Sequence, residues 1–86
     1  MPEISRFLGI VIKMFHNDHL PPHLHAYYQN YNATFSLKTG QMIEGLFPPK
    51  QSSFITAWIL LHEKELMANW NSLLAGKNAK KEKTLR

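Results

Sequence analysis

The hydrophobic period of this chain changes once, from two to 3.6, close to Ser52. Before that point apolar and polar side chains alternate in short runs separated by turn residues. After it, apolar residues recur at helical spacing. A chain in that order is expected to build an antiparallel sheet first and then cover it with helices, an α+β fold. Its 86 residues suffice for one domain with a small core, and a 44% hydrophobic content can fill it.

Residues 6–15 (RFLGIVIKMF) read as one strand that is apolar on both faces. Leu8, Ile10, Ile12 and Met14 fall on one side, with Phe7, Val11 and Phe15 on the other. Residues 23–29 form a second strand, with Leu24, Ala26 and Tyr28 opposite His23, His25 and Tyr27, and Asn30, Tyr31 and Asn32 are expected as a hairpin loop. The third strand turns Ala33, Phe35 and Leu37 inward and Thr34, Ser36 and Lys38 outward. Thr39-Gly40 is a turn, and residues 41–47 give a short fourth strand ended by Pro48-Pro49. Such short connections imply a four-stranded antiparallel meander.

Ser52 or Ser53 is the expected N-cap of the helical part, where Ile55, Trp58, Ile59, His62, Leu66, Trp70 and Leu73 share a stripe. A break near His62 divides it into two helices, because Glu63 and Glu65 suit a fresh helix N-terminus, and Gly76 is a natural stop. The expectation is a ββββαα domain over residues 1–76, with both helices on one face, and a basic flexible tail over residues 77–86.

The formal charge of +4 is concentrated in that tail. The last eleven residues hold Lys77, Lys80, Lys81, Lys83 and Arg86 against Glu82, while the rest of the chain carries five basic and five acidic side chains. A tail of this kind can attract phosphate backbones without sequence preference, or simply solvate a terminus. There is no cysteine, which excludes disulfides, thiol catalysis and iron–sulfur chemistry and suits a reducing compartment. The apolar stretches 7–12 and 57–61 fall far below the roughly 20 residues of a membrane-spanning helix. A soluble, cytoplasmic chain without membrane association is the expectation.

Four of the five histidines stand within ten residues: His16, His19, His23 and His25, with Asp18 among them. In the run His23-Leu24-His25 the strand period puts both imidazoles on one face, about 6–7 Å apart along the backbone, and Tyr27 continues that face. Pro21-Pro22 stiffens the approach, so the loop bearing Asp18 and His19 can be held near it. Three readings remain open. His23 and His25 can act as acid and base in metal-independent RNA cleavage, with Asp18 orienting an imidazole and Tyr27, His19 or His16 assisting; that chemistry needs no cofactor. Alternatively, His23 and His25 with Asp18 or His19 can hold a divalent metal ion. Or the histidines are structural, or face a partner protein. Phosphate-binding glycine loops, nucleophile elbows and paired carboxylates are absent from the sequence, which argues against nucleotide hydrolases, esterases and glycosidases.

The segments MPEISRFLGIVIKMF, NDHLPPHLHAYY, TGQMIEG and WILLHEKELMANW resemble the bacterial domain-of-unknown-function family 4160. Asp18-His19, Pro21-Pro22-His23 and His25-Ala26 carry the specific part of the likeness. Genes of that family often stand beside another small domain, in arrangements like toxin–antitoxin pairs. The resemblance therefore implies a toxin-like effector with a small antitoxin-like protein as cognate partner, while RNA as a candidate target rests on the imidazole argument alone. The family supplies no reaction. A non-catalytic module docking a partner through the His/Tyr face or a sheet edge stands beside the effector reading.

Overall fold

The computed structural model describes residues 3–15 and 18–76. His16 and the tail expected over residues 77–86 lie outside the described residues. The order of elements is β1 (Glu3–Phe7), β2 (Ile10–Lys13), β3 (His23–Tyr28), β4 (Tyr31–Ser36), β5 (Met42–Leu46), α1 (Pro49–Leu61) and α2 (Glu63–Leu74). All five strands form one antiparallel sheet in sequence order, so β1 and β5 are its edges. The α+β class and the antiparallel meander followed by two helices are as expected, but the described residues form five strands rather than four.

The extra strand comes from residues 6–15, which fold back on themselves at Leu8-Gly9. Both turn residues have positive φ, 51° and 77°, and Phe7 pairs directly with Ile10. This is the backbone sense that two-residue hairpins require. The turn also reverses the parity of the face assignments. Phe7 now lies on the same side as Ile10 and Ile12 and is buried with them, while Leu8, expected inside, sits at the tip with 57% of its surface exposed.

Two other boundaries move. The β3–β4 turn is Gln29-Asn30, with Gln29 at φ 53° and Tyr28 paired to Tyr31, so Tyr31 and Asn32 belong to a strand and not to a loop. The first helix begins at Pro49 with Pro48 as N-cap, four residues ahead of Ser52. A proline in the first turn costs nothing, because its missing N–H would have had no intrahelical partner there. The break at His62 is present: its N–H reaches the carbonyls of Trp58 and Ile59, and α2 restarts with Glu63 and Glu65 in its first turn.

The helices cover one face of the sheet. Ile10, Ile12, Leu24, Ala26 and Phe35 from the strands, with Leu37 just past β4, bury against Ile55, Trp58, Ile59, Leu66, Trp70 and Leu73. Trp58 stacks at a tilt on Phe7 with ring centroids 5.3 Å apart, and Thr56 Oγ1 donates to the Gly40 carbonyl at 2.7 Å, which ties α1 to the β4–β5 turn. The other sheet face carries Val11, Lys13, His25, Tyr27, Asn32, Thr34 and Glu44, half-buried or exposed.

Candidate metal centre

The loop between β2 and β3 delivers Asp18 to the first turn of β3. The base of the loop is pinned by Leu37, whose N–H donates to the Pro22 carbonyl at 3.0 Å. At its crest the His19 N–H donates to Asp18 Oδ1 at 2.9 Å. That bond fixes the carboxylate and leaves Oδ2 aimed at the strand. His25 Nε2 meets Oδ2 at 2.9 Å, and His23 Nε2 lies 3.0 Å from the same oxygen. Two imidazoles and one carboxylate therefore converge on a point, with one ligand atom of each lying within 4.8 Å of the others.

The three groups differ in access. His23 is 3% exposed, its ring lying 5.3 Å from that of Trp70 and 5.0 Å from that of His25. His25 is 24% exposed and Asp18 16%, with Phe15 set edge-on to His25 at 4.5 Å. The open side of the centre is thus the side of His25.

His23 Nδ1 lies 2.7 Å from the Pro21 carbonyl oxygen. A carbonyl only accepts, so Nδ1 carries hydrogen and donates. Nε2 then faces a carboxylate oxygen and needs positive charge between them: a second proton on the ring, or a metal ion bound to its lone pair. A backbone carbonyl on the far nitrogen is the outer contact that orients histidines which ligate metals.

Partial burial pushes the Asp18 carboxyl up. The hydrogen bonds from His25 and the His19 amide, with the nearby charges of His23 and His25, outweigh that and hold it below the ordinary carboxylate range. Asp18 is accordingly ionised at neutral pH, as a ligand must be.

The remaining sequence candidates are placed differently. His19 stands on the rim, 83% exposed, with Nε2 3.8 Å from Asp18 Oδ1 and its ring 5.1 Å from that of His23. Tyr27 shares the face of His25 but is engaged by Lys13, whose Nζ lies 5.2 Å from the ring centroid. Sequence reasoning missed Trp70 and Phe15 as walls of the centre, since both read as ordinary core residues.

The model of the family described as a domain of unknown function, DUF4160, matches residues 9–71. The chain belongs to the DUF4160 family. The matched span contains every residue of the DUF4160 centre and reaches Trp70, while β1 precedes it. No curated protein and no solved structure shows a significant match to this DUF4160 chain. Among the described residues no helix is long and apolar enough to cross a membrane.

Proposed function

We propose that this chain is a small toxin-like effector of a bacterial two-protein pair, which cleaves RNA at a divalent-metal centre formed by Asp18, His23 and His25. The observation that carries the reading is the convergence of both Nε2 atoms on one Asp18 oxygen. The far atoms of Asp18 and His23 are meanwhile held by backbone. Three ligands of the N, N, O type suit zinc, iron or manganese and leave further coordination positions open. Such an ion supplies Lewis acidity, which acidifies a water and polarises a phosphoryl oxygen. The toxin-like role and a small antitoxin-like partner come from the gene arrangement implied by the family resemblance.

Metal-independent acid–base cleavage by His23 and His25 is served less well. His23 is nearly enclosed and has its Nδ1 committed to Pro21, so it offers no nitrogen to a substrate. His25, held by Asp18 and open on one side, is the group that such a mechanism would have to use.

The test is induced expression of wild type, Asp18→Asn and His25→Ala in a bacterial host at matched soluble levels, followed by RNA cleavage with and without chelator. Growth arrest and chelator-sensitive cleavage by wild type alone are expected. Cleavage that survives excess chelator sinks the metal reading and restores the acid–base one.

A second reading, a non-catalytic binding module, is favoured by the β5 edge. All five of its residues are exposed, and Met42, Ile43 and Leu46 present apolar surface on a strand that ends the sheet among the described residues. Ile43→Lys/Leu46→Lys separates the two, since a module docking through β5 loses its partner, while an effector keeps its RNA cleavage.

A further inference from the structure

The open face of the sheet beside the centre has an ordered polarity. Strand pairing aligns Lys13 with His25, His25 with Thr34, and Thr34 with Glu44. One row across four strands thus reads ammonium, imidazole, hydroxyl, carboxylate, over about 14 Å at the usual strand spacing. The neighbouring row includes Tyr27 and Asn32. His25, Tyr27, Asn32, Thr34 and Glu44 line a shallow depression, and His25 belongs to both the depression and the centre.

Resting on the RNA reading above, we propose that this depression is a nucleobase subsite selective for guanine, with the scissile phosphate at the centre. The charge order sets the direction. A phosphate lies favourably at the Lys13–His25 end and is repelled at the Glu44 end, so the base, not the backbone, lies over β4 and β5. Glu44 is acceptor-only and exposed, and the Watson–Crick edge of guanine offers it two adjacent N–H donors in the fork geometry that carboxylates take. Adenine, cytosine and uracil lack that adjacent pair. Tyr27 supplies an aromatic surface for the base once the Lys13 ammonium, 5.2 Å from its ring centroid, turns to the phosphate, and the Asn32 amide can both donate and accept at the base edge.

The experiment is titration of the full chain with each of the four nucleoside 3′-monophosphates, followed by backbone amide NMR shifts. Guanosine 3′-monophosphate is expected to bind at least about fivefold more tightly than the others, with shifts at Tyr27, Asn32, Thr34 and Glu44. Glu44→Gln should erase that preference without changing zinc stoichiometry, and Tyr27→Ala should weaken all four about tenfold. Tyr27→Phe should keep the affinity, which guards against loss through misfolding. Equal binding of the four, a preference that survives Glu44→Gln, or shifts confined to another surface overturns the subsite and leaves RNA as the substrate. If neither the nucleotides nor a single-stranded oligoribonucleotide binds, the RNA reading falls with it.

Discussion

Asp18→Asn is the substitution that isolates the centre, because it keeps the shape of the side chain and removes only its charge. The amide oxygen can still accept from the His19 N–H, but the position of Oδ2 becomes an NH2 group facing the N–H of His25 and the Nε2 of His23. A hydrogen bond to a charged group is worth about 1.5–3 kcal/mol, and at 16% exposure Asp18 is only modestly screened. A domain of this size shifts its midpoint by about 4–8 °C per kcal/mol, so the variant should melt at least ~6 °C below wild type without metal. Saturating zinc widens the gap, since an ion at one hundred times its dissociation constant adds about 2.7 kcal/mol to wild type and nothing to the variant.

Near-UV circular dichroism reads the melt, because both tryptophans are buried and Trp70 lies against His23. The pH dependence follows from the lowered Asp18 value. Its stabilisation is fully present above the unfolded carboxyl value near ~3.9 and is lost as pH falls through the lower folded value. The difference between wild type and Asp18→Asn should therefore hold from about pH 7 to 5 and shrink below about pH 4. Equal melting at pH 6, or a difference undiminished at pH 3, would refute the reasoning.

Other substitutions separate anchoring from chemistry. His23→Ala removes a buried ring between Trp70 and the Pro21 carbonyl and should cost about 2–4 kcal/mol in urea unfolding, whereas His25→Ala should cost about 1.5–3 kcal/mol, the bond to Asp18, and abolish growth arrest at matched soluble levels. Leu8→Asn should stabilise by up to about 1 kcal/mol in the same assay, since leucine at φ 51° on an exposed tip is strained and asparagine tolerates that region. Gly45→Ala should destabilise by more than about 1 kcal/mol and speed amide exchange in β4 and β5. Gly45 has φ 97°, and an added Cβ would sit 2.5 Å from the Asn32 carbonyl oxygen.

The parts of the fold that were legible were those where one period persists. The alternation through Ala33, Phe35 and Leu37 and the helical stripe from Ile55 to Leu73 both lie where they read, and Glu63 and Glu65 marked the restart after His62. The Leu8-Gly9 turn escaped because a two-residue hairpin inside an apolar run leaves no polar interruption, and Gly9 was its only punctuation. Ser52 and Ser53 were credible caps, but Pro48-Pro49 started the helix first through their fixed φ. At the site, the shared face of His23 and His25 followed from strand geometry. The descent of Asp18 onto that face followed from Pro21-Pro22 only as an opportunity. The Pro21 carbonyl on Nδ1 and the arrival of Trp70 from α2 depend on tertiary packing, which a single sequence does not encode locally.

Metal content is the most direct test of the centre. The full chain, purified without chelators or an affinity metal and analysed by elemental mass spectrometry, should carry close to one equivalent of a first-row divalent ion, or take one up from added zinc, with Asp18→Asn and His25→Ala carrying none. A wild-type chain that is isolated without metal and shows no heat of binding on zinc titration at neutral pH would contradict the metal centre, leaving Asp18, His23 and His25 as an ion-paired anchor of the loop.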